Sequence, residues 1–428
     1  MNPYLHKYAK RLRLIRERPH PDLGLVVVIP SACEAHLDSA LNALYSCELP
    51  DCAVEIIIVV NGAENTGPEC SARNKKSLEL CERWKQQHDR PEFKVFAIAE
   101  LELPPRRAGV GLARKIGMDE AVRRFEDLNR HEGIIACFDA DSTCAPNYLR
   151  ALHWHFHEHP KTPGCSIRFA HPTFGTEYSP HHYLGISYYE LHLRYYNQAL
   201  RACGFPHAYH TVGSSMAVRS SAYQKQGGMN TRKAGEDFYF LHKIIALGHF
   251  TELNDTLIIP SARSSDRVPF GTGRSIGDFI KKGQSSFFTY NLQAFKYLHL
   301  FFKQLPEFYI LEEAKLEKLG GVLPYILLDF LSAYFFEERI AEIKANSRGF
   351  HSFEKRFYRW FNAFMVLKFV HFVRDNAHPN TRVELAALDF LRQTGYPDTD
   401  KIRSLSELLS TLRMIDQWPA ERQLRFVH

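Results

Sequence analysis

Between Leu25 and about Leu257 the chain alternates short, nearly continuous apolar runs with amphipathic helical stretches, an alternation that leaves few folds open. LVVVI (25–29), VEIIIVV (54–60), FKVFAI (93–98) and IIACF (134–138) read as strands buried on both faces, as strands of a parallel sheet are. The intervening AHLDSALNALYS, RNKKSLELCERWKQQ and GLARKIGMDEAVRRF carry apolar residues at three- and four-residue spacing, the period of a helix with one buried face. The expectation is an α/β domain, a mostly parallel sheet with helices on both faces. Ligands of such sheets bind beyond the carboxyl ends of the strands. The polar residues that follow these strands, Pro30 to Glu34, Asn61 to Glu64 and Asp139 to Ser142, are therefore expected along one rim.

After about residue 275 the pattern changes to long helical stretches rich in Phe and Tyr. Phe357, Trp360, Phe361, Phe364 and Leu367 repeat at helical spacing and read as a packed core stripe. Residues 381–394 read as a further helix, closed by Gly395 and followed by Pro397. With 428 residues, the chain divides into a basic amino-terminal segment (1–23), an α/β domain (24–275) and a helical carboxyl-terminal region (276–428).

The net charge of +6 is concentrated at the amino end, where Lys7, Lys10, Arg11, Arg13, Arg16 and Arg18 face one acid, Glu17. That segment reads as a solvated helix, with attraction to an anionic membrane surface as the alternative. No aromatic-interleaved basic array or zinc-finger spacing points to nucleic acid. Nine cysteines, odd in number and without a C-x-x-C pair, read as reduced thiols of a cytosolic protein. The start lacks a signal-peptide pattern, and the longest apolar run, LPYILLDFLSAYFF (323–336), is too short to span a bilayer.

The strand IIACF runs into DADST, placing Asp139 and Asp141 one residue apart. Two carboxylates this close repel unless a cation, a proton or solvent relieves them. A D-x-D after a buried strand offers hard oxygen ligands to a divalent cation that also bridges a diphosphate. A turn in which both aspartates cap the following backbone fits as well.

Some 95 residues later, Glu236 and Asp237 open a helical pattern, where a carboxylate is stabilised as the anion. Such a carboxylate can cap the helix or accept a proton from an incoming hydroxyl. The preceding TVGSSMAVRSSAYQKQGGMN (211–230) reads as a small-residue loop, a strand and a helix ending in Gly227 and Gly228. SARSSDRVPFGTGRS (261–275) sets Arg263, Arg267 and Arg274 around two glycines, a composition suited to closing over a diphosphate or to a solvated linker. His153, His155, His157 and His159 fall at four-residue pairings but lack a carboxylate partner at ligand spacing, and read as a partly exposed helix.

Taken in order, these segments resemble the family 2 glycosyltransferases of the GT-A fold over residues 24–275. VVVIPSACEAHLDSAL is similar to the family's opening strand and loop, and IIIVVNGAENTG to its nucleotide-contacting turn. GVGLARKIGMDEA is similar to the arginine-bearing helix, FDADS to the metal-binding D-x-D, and GEDFYFLHKIIALG to the helix opened by the catalytic acids. The resemblance implies a GT-A (nucleotide-diphospho-sugar transferase, Rossmann-like) fold and an inverting transfer from a nucleotide sugar. Pro30, Ser31 and Glu34 would flank the nucleoside, with Arg114 near the base or phosphates. Asp139 would face the ribose or sugar, and Asp141, with Asp139, would hold Mn2+ or Mg2+. Gly213, Ser214 and Ser215 would line the donor sugar and acceptor region. Asp237 would be the base, and Glu236 would support it or hold the acceptor. Apart from the resemblance, the composition of residues 261–275 gives Arg263 and Arg267 to the diphosphate, Arg267 first.

Many members of that family carry two aspartates after the second strand, where this chain has Asn61, Gly62 and Ala63. An amide and a carboxylate present different hydrogen-bonding groups, so a uridine preference does not carry over. The implied acceptor is a glycan, lipid or small molecule; a peripheral contact with the inner membrane face and a homodimer stay open. Two rivals also remain: a haloacid dehalogenase-like phosphatase using DADST, with Asp139 as nucleophile, and a sugar-nucleotide-binding scaffold without turnover.

Overall fold

The computed structural model describes residues 2–9, 11–265, 271–311 and 315–426. They form two compact units, Met1–Tyr178 with Thr211–Gly277, and Ser179–His210 with Asp278–His428.

The first unit is built on eight strands: β1 (Leu23–Ser31), β2 (Ala53–Ala63), β3 (Phe93–Leu103), β4 (Ile134–Cys137), β5 (Thr143–Cys144), β6 (Gly164–Phe169), β7 (Met216–Arg219) and β8 (Thr251–Ile259). They assemble in the order β3-β2-β1-β4-β7-β6-β8-β5. β3, β2, β1 and β4 are mutually parallel, as their apolar runs indicate, and so are β6 and β8. β7 runs antiparallel between β4 and β6, so the sheet is mixed though mostly parallel. The helices in chain order are α1 (Pro3–Tyr8), α2 (Leu37–Tyr45), α3 (Pro68–His88), α4 (Val110–Asp127), α5 (Tyr148–Glu158), α6 (Pro180–Ala202), α7 (Ser220–Lys225) and α8 (Glu236–Ile245). All but α6 belong to this unit.

The reversed strand has a direct consequence for the site. Met216, the first residue of β7, pairs with Cys137, the last of β4. The loop before β7 therefore arrives at the same rim as the turn after β4. β5 pairs with the end of β8, Thr143 opposite Ile259, which carries the segment after β8 to the D-x-D turn.

The basic amino-terminal segment is not a solvated helix. Among the described residues of the segment only the six of α1 are helical, and the chain then lies along the first unit with Tyr4 and Ile15 buried. Tyr4 donates to Asp119 at 2.6 Å, Arg11 pairs with Glu100, and Arg13 with Asp127. The backbone N–H groups of Leu14 and Ile15 donate to Glu120. Partners on α4 and β3 hold Arg11, Arg13 and the backbone of Leu14 and Ile15, which fixes this part of the segment against the unit.

The second unit is helical apart from one strand pair, Phe288–Thr289 with Thr381–Arg382. The aromatic stripe does line its core, but not along one helix. Asn362 caps a new helix with its side chain, dividing Phe350–Trp360 from Ala363–Asn376. Phe357 and Phe361 are fully buried, while the stripe continues through Val366 and Phe369 instead of Phe364 and Leu367. On α6, Arg194 pairs with Glu190 and Asp416, and Arg413 joins Glu190 at 2.6 Å. Among the described residues, no helix is long and apolar enough to cross a membrane.

Candidate active site

Each strand that feeds the rim delivers one group. Ser31 ends β1 with its hydroxyl buried and, among the described residues, without a hydrogen-bond partner. Glu34 follows, its carboxylate accepting the N–H groups of Ala35 and His36. Asn61, near the end of β2, is buried and held through its carbonyl by Asn74 on α3. The same Asn74 side chain accepts the N–H of Cys33 at 2.7 Å, fastening the loop after β1 to the end of β2. Sequence reasoning missed Asn74. Its signal was an amide at a position that continues the buried face of α3, with Ser77, Cys81 and Trp84.

Two arginines organise the remaining groups. Arg114, buried on α4, donates from Nη2 to Asp139 Oδ1 at 2.5 Å and from Nη1 to Glu236 Oε1. It thus joins the turn after β4 to the first residue of α8. Gly213 lies against the guanidinium, and a Cβ there would overlap its terminal nitrogens. This close approach, not backbone freedom, is what calls for glycine. Ser214 and Ser215 follow, both buried, with their hydroxyls 3.4 Å apart.

Arg263, after β8, forms the second bridge. Its Nη2 donates to Glu34 at 2.6 Å and its Nε contacts Asp141 Oδ2 at 2.6 Å. Arg267, expected beside it, lies outside the described residues.

The acid pair opens α8 directly after Gly235, whose φ of 66° turns the chain into the helix through the left-handed region. Asp237 is half-buried, and its Oδ1 accepts the N–H of Phe238 at 2.8 Å. Burial pushes the Glu236 carboxyl up to about 7; Arg114 opposes the rise and Asp237 adds to it. Burial also raises Asp237, again against the pull of Arg114. For Arg114 itself burial works against the charged form, but Asp139 and Glu236 outweigh it and keep the guanidinium ionised.

The bridge through Arg114 draws two acid pairs, 139/141 and 236/237, to one rim, and residues 134–374, which contain both, match the model of glycosyl transferase family group 2. That match spans more than half of the chain. The chain belongs to glycosyl transferase family group 2. This group 2 glycosyltransferase has the expected α/β, GT-A-like architecture with a helical carboxyl-terminal region. Membership sets aside the phosphatase reading of DADST. No curated protein matches the chain by sequence. Among solved structures, the chain aligns with the crystal structure of S. aureus TarS 1-349 at 13% identity, over 91% of this chain and 89% of that one, with a TM-score of 0.37. The complex of TarS 1-349 with UDP-GlcNAc aligns with the same identity and coverage at a TM-score of 0.38.

The resemblance to this family implies a divalent cation at the D-x-D, and the donor set of the group 2 glycosyltransferase fits one. Among the described residues, five carboxylates (Glu34, Asp139, Asp141, Glu236 and Asp237) and two guanidiniums, Arg114 and Arg263, make up this cluster, a donor set rich in hard oxygens. Among the described residues no three protein ligands gather for a metal. A cation held by Asp139 and Asp141 would complete its oxygen shell from phosphate and water, as magnesium commonly does.

Proposed function

We propose that this chain is an inverting glycosyltransferase that moves a sugar from a nucleotide-sugar donor to an acceptor hydroxyl. The observation that carries this reading is the Arg114 bridge between Asp139 and Glu236, which sets a diphosphate-side acid pair beside a base-side acid pair. Asp237 takes the proton of the acceptor hydroxyl as its oxygen attacks the anomeric carbon. The bond from that carbon to the diphosphate oxygen breaks, and the nucleoside diphosphate leaves with the bonding pair. A single displacement from the opposite face inverts the configuration.

The division of labour follows from the contacts. Arg114 engages Glu236, so Glu236 orients and Asp237 is the base. A carboxylate whose proton affinity burial raises is a stronger base than one in water. Asp141 and Asp139 would hold Mn2+ or Mg2+, which when bound supplies charge neutralisation on the diphosphate. Ser31 and Glu34, with Pro30, flank the nucleoside; Gly213, Ser214 and Ser215 line the sugar and acceptor region. Asn61 replaces a family aspartate on the nucleoside side, leaving the base of the donor to experiment.

The test incubates the protein with UDP-, GDP-, ADP-, CDP- and dTDP-sugars, with and without Mn2+, and follows nucleoside diphosphate release. Proton NMR of the product then reads the anomeric configuration. Release with inversion from one donor class supports the reading. Retention of configuration contradicts it, and metal- and donor-dependent stabilisation without release returns the chain to the scaffold reading.

A further inference from the structure

Arg263 is a cation held between two carboxylates of the rim. It binds Glu34 through Nη2 at 2.6 Å and Nη1 at 3.3 Å, and it binds Asp141 through Nε at 2.6 Å. One side chain from the segment after β8 therefore ties the loop after β1 to the D-x-D turn. Asp141, the carboxylate assigned to the divalent cation, already has a cation of the protein's own. The Glu34 side chain is 2% exposed and that of Asp141 15%, so solvent screens this contact weakly.

We propose that Arg263 competes with the divalent cation for Asp141, keeping the D-x-D closed to metal until a nucleoside diphosphate draws the guanidinium away. This rests on the metal reading of the D-x-D given above. The Asp141 oxygen that holds Nε cannot present the same lone pair to a metal, and a cation approaching it also meets the positive charge of Arg263. A guanidinium grips phosphate with the same planar fork that grips a carboxylate, so a diphosphate is a fit exchange partner. Moving Arg263 onto phosphate oxygens releases Asp141 Oδ2 from Nε as the diphosphate arrives. Metal and nucleotide binding then strengthen each other, by the same factor in either order.

The test titrates Mn2+ into the full chain, followed by electron paramagnetic resonance, first with Mn2+ alone and then with UDP, GDP and ADP in turn. Wild type, Arg263→Gln, Arg263→Lys and the double variant Arg263→Gln/Asp141→Asn are compared, with circular dichroism to check folding. Arg263→Gln is expected to bind Mn2+ alone about tenfold more tightly than wild type, and to gain less from the effective nucleotide. Arg263→Lys keeps the charge but not the fork that bridges Glu34 and Asp141, so it is expected to bind Mn2+ alone about threefold more tightly than wild type, between wild type and Arg263→Gln, which covers the case in which the glutamine variant does not fold. The proposal is overturned if wild type binds Mn2+ with a nucleotide while Arg263→Gln binds Mn2+ alone no better than wild type. Absence of Mn2+ binding by wild type with every nucleotide, or a double variant that binds like Arg263→Gln, overturns the metal reading and this proposal together.

Discussion

Arg114 and Glu236 stand 122 residues apart in sequence, yet the Arg114 guanidinium donates directly to the Glu236 carboxylate in the buried interior of the site. A second nitrogen of the same guanidinium holds Asp139 at 2.5 Å. The helix that carries the acid pair is thereby registered against the D-x-D turn by one side chain. Replacing Arg114 by Ala leaves two carboxylates without their counter-ion, one of them buried, a change that typically costs about 3–5 kcal/mol. Urea unfolding is expected to show a loss of that size in Arg114→Ala, together with lost transfer activity. An unchanged midpoint would remove the bridge from the account.

Gly213 tests the same bridge from the other side. A Cβ at this position would overlap the terminal nitrogens of Arg114, so Gly213→Ala has to displace the guanidinium or the loop. Overpacking of this kind costs about 1–3 kcal/mol. The expected result is a lowered midpoint and a kcat reduced more than KM is raised, since the displaced group registers the acids and not the substrate. Wild-type kcat in Gly213→Ala would contradict the role given to Arg114.

The amino-terminal segment gives a stability prediction away from the chemistry. The Tyr4 hydroxyl donates to Asp119 at 2.6 Å and accepts from Lys115 at 3.0 Å, while Tyr223 donates to the same Asp119 oxygen at 2.7 Å. Tyr4→Phe removes both hydrogen bonds of that hydroxyl in a buried setting, the one to the Asp119 carboxylate alone being worth about 1.5–3 kcal/mol. Calorimetry should register a lower Tm for the variant; a Tm equal to that of wild type would return this segment to the solvated state that its composition suggested.

In the helical unit, pH acts through Asp416. Burial on its own would raise this carboxyl, but His210, Arg194 and Arg201 outweigh it and hold the pKa well below the ordinary 3.8. A group depressed on folding contributes stability that is fully present above its unfolded pKa and is lost as pH falls toward the folded value. Asp416→Asn is therefore expected to be less stable than wild type by a constant margin from about pH 7 to 5. The margin should shrink once the pH drops below about 4. Unfolding midpoints of both proteins across that range check it, and a margin that widens in acid would reverse the sign of the argument.

The strands were legible because burial on both faces leaves a continuous apolar run, as in residues 25–29 and 54–60, and the rim followed from the parallel order. The acid pairs were legible as local spacings. The arginine bridges were not, because a contact between Arg263 and Glu34, 229 residues apart, leaves no periodic trace in the chain. Resemblance gave Arg114 to the nucleotide or its phosphates, and loop composition gave Arg263 to the diphosphate; in the structure each also has carboxylate partners in the protein. The break at Asn362 was visible in principle, since asparagine is a favoured helix cap, but the aromatic period running through it masked the boundary. The amino-terminal segment misled because charge dominates its composition, whereas its placement is decided by Tyr4 and Ile15.

The central claim is that Asp237 is the base of a glycosyl transfer whose donor is held elsewhere in the same rim. The most direct measurement compares wild type and Asp237→Asn in two assays on the same preparation: thermal stabilisation by the effective nucleoside diphosphate with Mn2+, and turnover of the matching nucleotide sugar. The account predicts equal stabilisation, about 2.7 kcal/mol at a ligand concentration 100 times Kd, with turnover in Asp237→Asn reduced by at least about 100-fold. Turnover at the wild-type rate in Asp237→Asn would contradict it.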